Sequence, residues 1–265
     1  MKDNPLHWQV ALIGAGNVAW HLGHGLTKAG ISISQVIART KVPAQSLADS
    51  LNASYSLNFE DFLPENDCCI LCVSDNALTA IAGKIKFGDC LALHTAGSIP
   101  AEVLKGWAKN YGVLYPLQTF TKKRALNLWQ IPLLVEANNE DNLVRTKKLA
   151  SFISGNIVEA GSEERLKLHL AAVFAGNFSN HMYALAEKLL VKQGLSFDLL
   201  KPLIAETAAK ALEIPPHLAQ TGPAVRGDNT IMEEHMALLE SYPEFAELYR
   251  LISMSIMNLK SDQNS

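Results

Sequence analysis

Hydrophobic positions fall into two regimes along this chain. Up to about residue 160, short unbroken apolar runs alternate with stretches in which apolar residues recur every three or four positions. The runs at 8–13, 31–38, 68–73, 90–95, 113–117 and 132–137 predict strands covered on both faces, with shorter extended pieces at 53–57 and 156–159. Helices are expected at 17–28, 43–51, from 77, after Pro100 and at 139–154. Gly30 ends the first of these and Pro43 opens the second. This alternation predicts an α/β architecture, a Rossmann-like doubly wound and mostly parallel sheet.

After Gly161 the strand signals stop. Ser162 reads as a helix N-cap, with Glu163 and Glu164 in the first turn. A helical pattern then runs to about residue 193, and 166–175 is apolar on nearly every side. A helix apolar all round must be buried, and one of roughly 45 Å is more than a small domain covers alone. It is therefore expected to pack against a second subunit, making the protein a homodimer. Shorter helices follow at 197–212, 231–241 and 245–260, and 261–265 reads as a frayed end. Two domains result: 1–160, the α/β half, and 161–265, a helical half expected to carry the dimer contact.

Composition narrows the function classes. A chain of 265 residues can bury two cores, and its net charge of −3 argues against nucleic acid or an anionic membrane as partner. No apolar run reaches the ~18 residues a membrane span needs. The N-terminal apolar stretch is broken by Gly14-Ala15-Gly16, unlike a signal peptide, so a cytoplasmic protein is expected. Cys68, Cys69, Cys72 and Cys90 lie in or beside strand-like runs and read as reduced, buried thiols. A zinc site is the alternative, but no nearby His completes a ligand set, so no metal is expected.

The densest chemical signal is Gly14-Ala15-Gly16-Asn17-Val18-Ala19, placed directly after the first strand. Gly14 permits a tight turn, and Gly16 leaves room for a pyrophosphate. Ala19 keeps the helix close to the sheet, and the helix N-terminus offers free N–H groups. A plain structural turn is the alternative. The second strand ends in Arg39-Thr40-Lys41, with no carboxylate for ribose hydroxyls. Two cations and a hydroxyl suit a 2′-phosphate, so NADP is favoured over NAD; an ordinary charged turn is the competing reading. Val73, Ser74 and Asp75 follow the next strand on the ligand-binding edge, where Asp75 also suits a helix N-cap. Thr95 and Gln118 end two further strands on the same edge. Ser98 reads as a cap for the helix after Pro100.

Polar exceptions in the long helix are His169, Asn177, Asn180 and His181, the last three sharing one face. His169 and Asn177 are candidates for a ligand site, the alternative being satisfied packing positions. The segment from Thr221-Gly222-Pro223 to Arg226-Gly227-Asp228 reads as a capped turn between helices, with Asp228 as cap; a binding loop is the alternative.

The glycine turn, His94-Thr95-Ala96-Gly97, Pro116-Leu117-Gln118-Thr119-Phe120, the 169–177 helix segment and the 221–228 segment together resemble a sparsely characterised bacterial family. Its members are generally classed as NADP oxidoreductases and join a Rossmann-like half to a helical half. The plan is more remotely similar to pyrroline-5-carboxylate reductases, deazaflavin-dependent NADP oxidoreductases and 6-phosphogluconate dehydrogenase-like proteins, including β-hydroxyacid dehydrogenases. Those families dimerise through the helical half and bind substrate between the domains. One departure concerns chemistry. β-Hydroxyacid dehydrogenases carry a Lys and an Asn four residues apart here, whereas Lys167 is followed at that spacing by Ala171. That speaks against alcohol-to-ketone chemistry and leaves imine reduction open.

The expected function is an NADP(H)-dependent oxidoreductase acting on a small carbonyl or imine substrate in an interdomain cleft. Gly14, Gly16, Asn17, Val18 and Ala19 would hold the pyrophosphate, Arg39, Thr40 and Lys41 the 2′-phosphate, and Val73, Ser74, Asp75 and Thr95 the nicotinamide end. His169 would donate a proton, assisted by Asn177 or Gln118. A dimeric NADP-binding sensor or scaffold without turnover is the alternative.

Overall fold

The computed structural model describes residues 8–262, so the end of the chain beyond 262, read as frayed, lies outside the described residues. Eight strands form one sheet in the order β3-β2-β1-β4-β5-β6-β7-β8. They are β1 (Gln9–Ile13), β2 (Ser32–Ile37), β3 (Ser54–Ser56), β4 (Cys68–Leu71), β5 (Leu91–His94), β6 (Asn110–Pro116), β7 (Leu133–Ala137) and β8 (Ile157–Glu159). Every pairing is parallel except β6 with β7. The helices between them are α1 (Asn17–Lys28), α2 (Lys41–Leu51), α3 (Asp75–Ala82) and α4 (Glu140–Ser151).

The apolar runs follow from burial on both sheet faces. Along β1, Val10 and Leu12 join Leu22 and Leu26 of α1, Leu47 of α2 and Leu149 of α4 on one side. Ala11 and Ile13 alternate to the other side, with Leu78 and Ile81 of α3, Phe87 and Leu104. Each such leucine contributes about 1.5–3 kcal/mol by leaving water. Cys68, Cys69 and Cys90 are buried in this core. The order reverses across β1 and β4, and the crevice at their carboxyl ends is where sheets of this kind receive ligands.

Local departures have simple causes. α2 starts at Lys41, two residues before Pro43, which its first turn tolerates. α3 starts at Asp75 with Ser74 in the N-cap position, so Asp75 is not the cap. After Pro100 only a 3-10 turn forms, Ala101–Leu104, because Gly106 follows and β6 already begins at Asn110. Ser162 is not the N-cap of the next helix. Gly161 is, and its N–H donates to Glu164 Oε2 at 3.2 Å.

The long helical stretch comprises α5 (Ser162–Ala172), a π turn (Val173–Phe178) and α6 (Ser179–Lys192). Among its described residues Arg165 alone is buried, while Leu170 and Phe174 are 57% and 62% exposed. Two compact units divide the chain, ending at Asn177 and beginning at Phe178. The second also contains α7 (Lys201–Glu213), α8 (Pro216–Ala219), α9 (Pro223–Arg226), α10 (Asn229–Leu238) and α11 (Pro243–Asp262). Within it, Asp228 accepts from Ile231 N–H at 3.3 Å and caps α10, directly after Gly227 in the left-handed region at φ 70°. No helix among the described residues is long and apolar enough to cross a membrane.

Candidate cofactor and active site

The glycine turn is shaped by its neighbour strand. Gly14 has φ 106°, and a Cβ there would lie 2.3 Å from the Cys72 carbonyl oxygen. Its N–H donates to Ile37 O at 2.7 Å, and Cys72 N–H to Ile13 O at 2.7 Å, so the turn is pinned between β2 and β4. A Cβ on Gly16 would meet nothing within 4 Å. The space above Gly16 is therefore open, as a phosphate requires.

A cavity of about 520 Å³ begins here, lined in part by Gly14, Gly16, Arg39, Thr40, Val73 and Ser74. Two helices present uncapped N-termini around it. α1 starts from Gly16 and α2 from Thr40; neither has a side-chain cap bond, and neither has an acidic residue in its first turn. Orphan N–H groups and positive dipole ends with no carboxylate to satisfy them suit anions. Arg39, Thr40 and Lys41 are exposed, and Lys41 is not among the lining residues.

The other expected contacts are placed differently. Asn17 Nδ2 donates to Phe120 O at 2.8 Å, which ties the segment after β6 over the start of α1. Val18 is half-buried and Ala19 fully buried, as helix-to-sheet packing demands. Asp75 accepts from Ser98 Oγ, so Ser98 braces the α3 start rather than capping a helix of its own. Thr95 is buried, with its hydroxyl 3.4 Å from Leu71 O.

A second cluster sits where β5, β6 and α5 meet. Tyr115 Oη and His169 Nδ1 lie 2.9 Å apart, their rings edge to face. A Cβ on Gly97 would fall 2.7 Å from His169 Nδ1 and 2.8 Å from Tyr115 Cζ, so this pair exists because residue 97 has no side chain. Burial, reinforced by Asp75, raises the Tyr115 hydroxyl above the ordinary phenol range, against a lowering by Arg165. The phenol is thereby held protonated and shares one hydrogen bond with Nδ1 of His169. Gln118 and Asn177 are both exposed. Gln118 Oε1 is taken by its neighbour, accepting from Thr119 N–H at 2.8 Å.

Sequence reasoning missed what holds His169 in place. Arg165, one turn earlier, is fully buried; it pairs with Glu136 of β7 and donates through Nη2 to Ile99 O at 2.6 Å. Its charge, together with the stronger effect of burial, pushes neighbouring His94 down to about 4, so His94 is neutral. Lys122 was missed as well: its Nζ donates to Ala15 O at 2.9 Å, beside the glycine turn. The charge run Lys122-Lys123-Arg124 was the available signal.

Residues 9–91 match the family model described as NADP oxidoreductase, coenzyme F420-dependent. Residues 131–256 match a domain of unknown function, DUF2520. A "putative NADP oxidoreductase" of Bacteroides fragilis, known from its crystal structure, is 41% identical over 96% of this chain and 99% of its own, with a TM-score of 0.89. The chain belongs to this NADP oxidoreductase family. A Thermotoga maritima protein has the same fold at 23% identity and TM-score 0.73, covering 97% of this chain and 100% of its own. So does an imine reductase of Myxococcus stipitatus, solved with NADP+, at 16% identity and TM-score 0.61 over 96% and 93%. Among curated proteins none matches the chain.

Proposed function

We propose that the protein is an NADPH-dependent reductase of a small compound with a C=N or C=O bond, bound near Gly97, Tyr115 and His169. The observation that carries this reading is the pair of uncapped, acid-free helix N-termini, at Gly16 and at Thr40, bordering one cavity that also takes Arg39 into its wall. The first suits a pyrophosphate and the second a 2′-phosphate, with the Arg39 guanidinium, Thr40 and Lys41 beside it. Val73 and Ser74 continue the wall toward the nicotinamide end, with Asp75 and Thr95 behind them.

Bound nicotinamide supplies the hydride. His169 supplies the proton that the reduced nitrogen or oxygen takes up, and Tyr115 holds its ring in place. Asn177 and Gln118, both exposed, would orient the substrate. Lys167 is unsuited to the acid role: its ammonium is bonded to Glu163 at 2.7 Å on a face where both side chains are more than 70% exposed. Reduction of an imine, which can arrive protonated, asks least of this site. The exposed apolar residues of α5 and α6 support a homodimer built on them, and the free cysteines support a cytoplasmic setting.

Calorimetric titration with NADPH and NADH, followed by turnover of a panel of cyclic imines and small ketones, tests the proposal. NADPH is expected to bind at least about tenfold tighter than NADH, and Arg39→Glu to abolish that preference. His169→Ala should bind NADPH normally and lose turnover. Preference for NADH in the parent protein would overturn the cofactor assignment. Unchanged turnover in His169→Ala would remove the proton-donor role, and an NADPH-binding protein that reduces no panel member would be the sensor or scaffold instead.

A further inference from the structure

A second cavity, of about 1020 Å³, lies in the nucleotide-binding unit against α1; it shares no lining residue with the glycine-turn cavity, although Lys122 of its wall reaches Ala15 of that one. Trp20, His24 and Lys28 of α1 form one wall, and Lys122, Lys123 and Trp129 from the segment between β6 and β7 form the other. Three lysines and no Asp or Glu line it. A pocket with that imbalance raises the local concentration of anions.

Its aromatic surfaces are fixed in place. Trp20 has the His24 ring at 4.5 Å and the Lys122 ammonium at 5.3 Å from its own centroid. Trp129 is 58% exposed, yet its backbone is bonded on both sides: its N–H donates to Asn127 Oδ1 at 3.2 Å and its carbonyl accepts from Gly155 N–H at 3.0 Å. Its indole lies across Gly155, where a Cβ would approach to 2.9 Å. Leu128 beside it fills the space that the missing side chain of Gly25 leaves on α1, a Cβ there falling 2.3 Å from Leu128 Cδ1. Lys122 spends one donor on Ala15 O and keeps two others. A large exposed indole on a pinned backbone, lining one cavity with three cations and a second indole, is preorganised for a flat ligand.

We propose that this cavity binds a small planar aromatic anion, an arylcarboxylate or an aryl phosphate. Its ring lies against Trp20 and Trp129, and its acid group meets the ammonium groups of Lys122, Lys123 and Lys28. Ring stacking and charge-assisted hydrogen bonds are separable contributions, and the shared chemistry leaves open which acid group it prefers.

Calorimetric titration of the nucleotide-free protein with 1-naphthoate, 1-naphthyl phosphate and uncharged 1-naphthol reads both, independently of any cofactor. At least one anion should bind, with the tighter of the two identifying the acid group, and naphthol should bind at least about tenfold more weakly. Lys122→Gln and Trp129→Ala should each weaken the anion by about tenfold. Arg39→Ala, which alters the glycine-turn cavity, should leave its affinity unchanged. Three outcomes would overturn the site: no heat from either anion, naphthol binding equally well, or affinity lost with Arg39→Ala but kept in both cavity variants.

Discussion

α1 and α6 are of similar length and both rich in apolar residues, yet they are buried very differently. α1 buries Ala19, His21, Leu22, Gly23 and Leu26, and its outer face is polar enough for water. α6 buries nothing, and α5 before it buries Arg165 alone. A sheet with helices on both faces closes on itself. A helix that is apolar all round finds too little cover within its own chain and calls for another surface. The nucleotide-binding half buries its apolar residues within the chain, and the helical stretch leaves most of its own exposed.

Arg165→Ala should produce the largest effect, because Arg165 is what the helical stretch lends to the closed half. Removing the guanidinium strands Glu136 and the Ile99 carbonyl without their partner, at a cost of roughly 3–5 kcal/mol in urea unfolding. An unchanged urea midpoint would mean that α5 is held to β7 by other contacts.

How much of this was legible from residue order depends on the separation of the partners. Everything that makes the glycine turn lies within 14–19, and strand and helix periods place Arg39 and Ser74 at the same edge. The Tyr115–His169 pair spans 54 residues and required knowing that β6 lies beside β5 and that Gly97 leaves a gap. Arg165 was missed for a related reason. A cation near a helix start looks like a surface residue under local rules, and only the β7 register reveals Glu136 beneath it. The exposed apolar face was visible in the sequence as an excess, but what covers it is not encoded at any one position.

The closed half also carries a pH-dependent weakness. His94 sits fully buried with its pKa lowered from 6.5 to about 4, chiefly by burial and then by Arg165, while Asp75 and a backbone contact with Pro100 oppose the shift. The unfolded chain therefore takes up a proton first as pH falls. Stability from neutral His94 is whole above pH 6.5, declines by roughly 3 kcal/mol between 6.5 and 4, and changes no further below that. The urea midpoint measured across this range should fall in the parent protein and flatten in His94→Gln. Equal slopes in both would assign the acid sensitivity to other groups.

Phe174→Asp probes the other side of the comparison. Phe174 is 62% exposed on the chain, so the larger loss is expected where a second subunit covers it. If a second subunit covers α5 and the π turn, the loss is about 2–3 kcal/mol per buried site, and the dimer weakens by more than tenfold. Sedimentation should show the parent as a dimer and the variant dissociating at micromolar concentration. A monomeric parent protein would instead make the bare helix a property of the free molecule.

Asp228→Ala should have the smallest effect and draws the finest distinction. The 221–228 segment combines two glycines in unusual backbone conformations with a side chain that caps α10. Loss of the cap costs about 1 kcal/mol, read as a small fall in the urea midpoint. If the segment is purely architectural, NADPH affinity and turnover stay at the parent values while stability drops. A variant with normal stability but altered turnover would place the segment at the substrate and make the helical half a contributor to the reaction rather than only to its support.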